Sequence, residues 1–144
     1  MSLYVLDTDV LSLLQNGNPA IDSRVRAGQQ AKDILATTVI SVEEQLTGWY
    51  ARLRDPRSAN SPKRLADLYQ RLANTVKALA EAEVLSFTET AIIRYGQLLG
   101  MKLNVRKNDL RIAAITLEHG GILVSRNLRD FQRVPGLIVE DWSA

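Results

Sequence analysis

Leu3-Tyr4-Val5-Leu6-Asp7-Thr8-Asp9 is the stretch that decides how this chain folds. Its four apolar residues have the composition of a short strand covered on both faces. The run stops at two acids flanking a threonine, and Val10-Leu11-Ser12-Leu13-Leu14 resumes in helical spacing. A buried parallel strand that hands over to a helix ends at the carboxyl edge of its sheet, where open α/β folds hold their ligands. Asp7 is thereby expected as a carboxylate at the mouth of a crevice, and what matters next is which other acids converge on it.

Outward from this stretch, strands alternate with helices, the pattern of a parallel sheet. Gly17-Asn18-Pro19 breaks the chain before a short helix from Ile21 to Gln30, and Ile34 to Ile40 reads as the next strand. Ser41 is expected to start a helix with apolar positions at Val42, Leu46, Trp49, Tyr50 and Leu53. Asp55 to Pro62 reads as a loop, and from Lys63 a long helix carries the stripe Leu65, Leu68, Tyr69, Leu72, Val76 and Leu79. Val84–Phe87, Ile122–Ser125 and Leu137–Glu140 are further strands, the last at an edge. Helices run from about Thr88 to Gly100 and from about Lys107 to Glu118. The expectation is an α/β fold: a single domain over 1–144, with a central parallel sheet of four to five strands flanked by helices.

Composition bounds the function. A chain of 144 residues, 46% apolar and 24% charged, has the interior of one domain. It contains no cysteine, which excludes disulfides and zinc–thiolate sites and suits a reducing compartment. No apolar run reaches the ~18 residues that span a bilayer and no signal peptide is legible, so a cytoplasmic protein without membrane contact is expected. The formal net charge is only +2, with a pI near 9.1, which permits a nucleic-acid partner without requiring one.

Four acids stand where a strand hands over to a helix or in a first helical turn: Asp7, Glu44, Asp109 and Asp130. Each has a plain structural reading. Ser41-Val42-Glu43-Glu44 is a capping box in which Glu44 reaches back to Ser41, and Asn127-Leu128-Arg129-Asp130 imitates it. Asp109 follows Asn108, a good N-cap residue, and an acid in a first turn suits the helix dipole. Parallel strands, however, bring all four helix starts to one edge of the sheet. Carboxylates crowded in a low-dielectric crevice repel by several kcal/mol, on the order of what only protonation or a cation relieves. The usual neutraliser with oxygen ligands is Mg²⁺ or Mn²⁺. On that reading, neutralising one acid, as in Asp109→Asn, should stabilise the metal-free protein.

Leu6-Asp7-Thr8-Asp9-Val10-Leu11, Thr38-Val39-Ile40-Ser41-Val42-Glu43-Glu44-Gln45-Leu46-Thr47-Gly48, Asn108-Asp109-Leu110-Arg111-Ile112-Ala113-Ala114 and Leu123-Val124-Ser125-Arg126-Asn127-Leu128-Arg129-Asp130-Phe131 resemble, in order, the motifs of PIN-domain ribonucleases. More narrowly the chain resembles the VapC-type toxins of toxin–antitoxin pairs, and the likeness spans nearly its whole length. The resemblance implies a PIN-like parallel sheet, a Mg²⁺ or Mn²⁺ site, endonucleolytic cleavage of RNA, a homodimer, and a cognate antitoxin that blocks the site. It implies Asp7, Glu44, Asp109 and Asp130 as metal-binding and catalytic residues, with Thr8, Asp9, Ser125 and Asn127 positioning water or ligands around them. Two alternatives stay open. The family's glutamate stands four residues before the glycine, which selects Glu44, whereas a helical wheel prefers Glu43. Many PIN domains carry an aspartate where Asn127 stands, whereas VapC-like chains often place the acid at the position of Asp130.

The remaining residues suit metal-assisted chemistry. The single histidine, His119, precedes Gly120-Gly121 and reads as a helix C-terminal cap, so a histidine-pair route to RNA cleavage is closed. Arg106, Lys107, Arg111, Arg126 and Arg129, with Lys102 and Arg133 nearby, border the acids and are expected to contact RNA. Two rival readings are a haloacid-dehalogenase-like phosphatase with Asp7 as nucleophile, and a catalytically silent PIN-fold binding module. The first lacks a Ser/Thr-then-Lys pair and a late paired-aspartate motif. The second leaves four acids unexplained.

Overall fold

The computed structural model describes residues 1–143. Its first strand, β1 (Leu3–Leu6), is the centre of a five-stranded sheet in which every neighbouring pair is parallel. The other strands are β2 (Ile34–Thr38), β3 (Glu83–Leu85), β4 (Ile122–Val124) and β5 (Val139–Glu140), in the spatial order β3-β2-β1-β4-β5. The chain moves outward from β1 to β3, then returns to lay β4 on the other side of β1. The strand order therefore reverses between β1 and β4, which is where such sheets open a binding crevice at their carboxyl ends. Register is fixed there by Val5 opposite Leu123 and Leu6 opposite Val124, and by the Asp7 N–H donating to the Val124 carbonyl at 3.1 Å.

Between the strands run α1 (Thr8–Gln15), α2 (Pro19–Gln30), α3 (Val39–Arg54), α4 (Pro56–Ala59), α5 (Pro62–Ala80), α6 (Glu89–Gly100), α7 (Lys107–Glu118) and α8 (Leu128–Phe131). Successive strand residues face opposite sides, so the sheet divides two apolar layers. Val5 and Leu123 join Ala91 and Leu98 of α6 and Leu110 to Ile115 of α7. Leu6 and Val124 face the other way onto Val10, Leu11, Ile21, Leu79 and Trp142. Each such buried side chain contributes roughly 1.5–3 kcal/mol relative to exposure. α7 buries every residue from Asp109 through Thr116 except Arg111, which anchors one acid of the edge in the core. At the entry to β4 the packing is close: a Cβ on Gly121 would lie 2.9 Å from Val5 Cγ2.

Several boundaries differ from expectation. The second strand stops at Thr38 rather than Ile40, because the Thr38 hydroxyl accepts the Ser41 N–H at 3.2 Å and so caps α3 three residues early. The expected capping box at Ser41 is thereby displaced, and Glu44 is free for other contacts. The stretch 55–62 is not a bare loop. Asp55 caps the single turn of α4, and Ser61 caps α5 behind Pro62. Asn108 does not cap α7; Arg106 holds that position without a side-chain cap bond. The last strand is limited to two residues at the sheet edge, as β5. Among the described residues no helix is long and apolar enough to cross a membrane.

Candidate active site

Asp7 ends β1 and caps α1. Its Oδ1 accepts the Val10 N–H at 2.9 Å, and the Ser125 side chain, from just past β4, hydrogen-bonds to it as well. The carboxyl is only 8% exposed. Burial pushes its pKa up to about 6, further raised by the neighbouring charges of Asp9 and Asp109 and opposed by the bonds from Ser125 and Val10. Crowding among the acids is therefore real at Asp7, but burial is the larger cause.

Glu44 approaches from α3. The Thr8 hydroxyl donates to its Oε1 at 2.6 Å and lies 3.0 Å from the Ser41 hydroxyl. The Asn108 amide reaches Glu44 Oε2 from α7 at 3.4 Å. Glu43 is exposed to solvent instead; the α3 start at Val39 sets the phase that turns Glu44, not Glu43, inward. Asp109 stands in the first turn of α7 with its side chain 7% exposed, gripped by Arg106 through two bonds of 3.0 and 3.1 Å.

Asp7, Glu44 and Asp109 line one crevice of about 550 Å³ at the switch point, together with Thr8, Asp9, Asn127, Arg106 and Arg126, and Phe131 as an apolar wall. The structure thus brings together three of the four expected acids. Asp130 is not in the lining. Its Oδ2 accepts from the Asn127 amide at 2.9 Å and its Oδ1 pairs with Arg133 at 3.3 Å, while its charge still acts on Arg106 of the crevice. Asn127 takes the place at the crevice, and Asp9 lines it too, held by Arg126 at 2.7 and 3.0 Å.

The basic residues divide in the same way. Arg106 and Arg126 act as counter-ions to Asp109 and Asp9 inside the crevice. Arg111 lies over the Tyr95 ring, 4.8 Å from its centroid, and donates to Asn108. Lys107 and Arg129 are exposed beside the site. Sequence reasoning missed Asn108 and Ser41 as supports of the acid cluster. The adjacency of Asn108 to Asp109 was a local signal, but the Ser41–Thr8 contact joins residues 33 apart and leaves none. His119 behaves as its sequence suggests, with Nδ1 2.8 Å from the Ile115 carbonyl at the end of α7.

The donor set of the crevice is all oxygen: carboxylates and hydroxyls without sulfur or imidazole. That is the chemistry of a hard divalent ion such as Mg²⁺ or Mn²⁺. As folded, no three acids among the described residues stand close enough to grip one ion, and two of the crevice acids are held by guanidiniums instead. The donors fit such an ion by type, with waters completing its coordination, as is usual for Mg²⁺.

A family model described as PIN domain matches residues 4–137. The ribonuclease VapC2 of Rickettsia felis is 25% identical over 145 residues, covering 97% of this chain and 98% of that protein. The crystal structure of VapBC2 from Rickettsia felis, bound to a DNA fragment from its promoter, contains a chain that superposes with a TM-score of 0.75 at 23% identity. That match covers 97% of this chain and 98% of the other. VapBC-1 from nontypeable Haemophilus influenzae superposes with a TM-score of 0.75, also at 23% identity, over 99% of both chains.

Proposed function

The chain belongs to the PIN domain family, and from that premise we propose that it is a divalent-metal-dependent endoribonuclease acting as the toxin of a toxin–antitoxin pair. The observation that carries the reading is the convergence of Asp7, Glu44 and Asp109, from three separate helix starts, on one crevice at the sheet's switch point. The ribonuclease names of its full-length relatives support the activity, and the toxin–antitoxin complexes among its structural neighbours support an antitoxin partner.

PIN-domain nucleases generally use a divalent ion, and here Asp7, Glu44 and Asp109 would hold Mg²⁺ or Mn²⁺, with Asp9 and Asn127 beside them. A bound ion supplies an acidified water and neutralises charge at the phosphodiester. The chain's own groups do the rest. Thr8 and Asn108 fix the two oxygens of Glu44, and Ser125 and Val10 fix Asp7, so the acids are oriented before any ligand arrives. Asp109 and Asp9 are neutralised by Arg106 and Arg126 in the resting protein. With Asp109 and Asp9 engaged by an ion, Arg106 and Arg126 would be free to bind the phosphate oxygens of RNA, with Lys107 and Arg129 at the rim and Arg111 behind. Asp130 acts through Asn127, which it holds by a side-chain bond. The protein works in the cytoplasm, as a homodimer, and its antitoxin silences it by covering the crevice.

The test is cleavage of single-stranded or looped RNA by the purified protein with Mg²⁺ or Mn²⁺ and with EDTA. Asp7→Asn and Asp109→Asn are each expected to lower activity at least a hundredfold, about 3 kcal/mol of transition-state stabilisation. Undiminished cleavage in EDTA overturns the reading. A second reading, a catalytically silent PIN-fold module, is favoured by one observation: the crevice acids are occupied by arginines. It requires that calorimetric titration with Mn²⁺ give no heat of binding. The phosphatase reading gains no support, since Asp7 is committed as the cap of α1.

A further inference from the structure

A second cavity, of about 580 Å³, opens beside the acid crevice between α1, α3 and α5. Thr8 and Glu44 belong to the walls of both, so their 2.6 Å bond forms the sill between them. The chemistry on the far side of that sill is different. Glu44 is the only acid in the lining, which otherwise carries the amides of Gln15, Asn16, Gln45 and Asn74, the guanidiniums of Arg52 and Arg71, and the Trp49 indole.

These groups are organised. Gln15 and Gln45 face one another amide to amide, at 2.8 and 3.2 Å, and Gln45 also donates to the Ser12 hydroxyl at 3.1 Å. The Arg52 guanidinium lies 4.7 Å from the Trp49 ring centroid and makes no ion pair among the described residues. Among the described residues Arg71 pairs only with Asp67, one turn away on the exposed side of α5. Gly48 lies in the interior of α3 on the cavity wall, where glycine weakens a helix relative to alanine. A Cβ there would meet nothing within 4 Å, so close packing inside this chain does not require the glycine. A longer side chain there would have open space beside the cavity to fill.

Resting on the endoribonuclease reading above, we propose that this cavity is a nucleotide subsite, which holds one unpaired base of the RNA next to the cleaved phosphodiester. The base lies against the Trp49–Arg52 pair, and its edge bonds the Gln15 and Gln45 amides in place of the bonds they make to each other in the empty cavity. Unpaired RNA is recognised by stacking on aromatic and guanidinium planes, with hydrogen bonds to base edges. A primary amide presents a donor and an acceptor side by side, the pattern that base edges answer. The shared sill places such a base one step from the acids. A protein segment is the less suited occupant, because peptide grooves offer apolar pockets for anchoring side chains or an open sheet edge. This cavity offers cations, amides and one indole.

Trp49 supplies the readout. It is one of two tryptophans, and the other, Trp142, is 3% exposed and bonded to Glu140, so quenching by added ligand reports Trp49. The wild type, Gly48→Gln and Gln45→Ala are titrated in EDTA with uncleavable 2′-O-methyl oligonucleotides of A, C, G or U. Hydrolysis of bis(p-nitrophenyl) phosphate, which needs only the acid crevice, is measured with Mn²⁺. The expected result is base-selective quenching in the wild type, weakened at least about tenfold in both variants, with hydrolysis of the small diester unchanged. Gly48→Gln fills open space on a helix, so it is expected to fold; an unchanged melting temperature checks this. Quenching that is indifferent to base, or equal in wild type and variants, overturns the subsite, and a protein segment then becomes the cavity's occupant. If the small diester is not hydrolysed but selective quenching is lost in the variants, the nuclease reading fails while the subsite stands.

Discussion

Asp7 caps α1 and faces the crevice with the same carboxyl, and its pKa of about 6 makes that double duty measurable. Between the unfolded value of 3.8 and about 6, the folded protein holds a proton that the unfolded chain has lost. Stability therefore falls as pH rises through that window and stays lower above it. The full effect is bounded by the shift, about 2–3 kcal/mol. Asn at this position keeps an oxygen for the Val10 N–H and carries no charge. In metal-free buffer Asp7→Asn is expected to be more stable than wild type at pH 7.5 and equal to it near pH 4, by urea unfolding; an unchanged pH slope would refute the assignment. Asp109 goes the other way. Crowding argues that Asp109→Asn is stabilising, but Arg106 already neutralises this acid through two bonds. The side chain of Arg106 is 71% exposed, so solvent discounts the pair. The expected outcome in EDTA is a loss of about 1 kcal/mol or less, and a clear gain in melting temperature would restore the crowding argument.

At the scale of the element, α3 is the helix whose start decides the site. The buried Thr38 hydroxyl caps it and Ser41 links it to Thr8, so the phase of the helix, and with it the direction of Glu44, depends on a cap at the end of β2. Thr38→Ala is expected to cost about 1–2 kcal/mol of stability. It should also lower kcat by more than the loss of the comparable cap of α5 in Ser61→Ala, because α3, unlike α5, carries a crevice acid. Equal kcat losses in the two variants would show that the Thr38 cap does not position Glu44. The element pattern itself was legible. Apolar periodicity located β1, α1, α5, α6 and α7 closely, since each repeats on its own face. It overran β2 by two residues, because Val39 and Ile40 have strand-forming side chains while the cap that turns the chain is a single hydroxyl.

At the scale of the molecule, the outer faces of α5 and α6 leave apolar side chains in water: Tyr69 and Val76 on one, Ile92 and Ile93 on the other, each half exposed or nearly so. The homodimer proposed above gives these faces a partner. Ile93, the most exposed of the four at 57%, is the place to test it. Ile93→Glu is expected to convert a dimer to a monomer by light scattering without lowering the melting temperature of the monomer fold. A monomeric wild type at micromolar concentration would remove the dimer from the account.

By itself the sequence determined the α/β class, the strand-to-helix handover at Asp7, and the helix starts that carry Glu44 and Asp109. These are readable because burial and periodicity are properties of contiguous residues. It left Glu43 against Glu44 and Asn127 against Asp130 unresolved, and it assigned Arg106 and Arg126 to RNA rather than to neighbouring acids. Glu44 and Arg126 turn on contacts between residues far apart in the chain, Thr8 with Glu44 at a separation of 36 and Asp9 with Arg126 at 117, whereas Arg106 with Asp109 and Asn127 with Asp130 are only three apart. The first needs β2 laid beside β1, and the second needs β4 on the other side of β1. Tertiary structure decided which of these side chains face the crevice, because a hydrogen bond or ion pair is set by distance and direction in the folded chain.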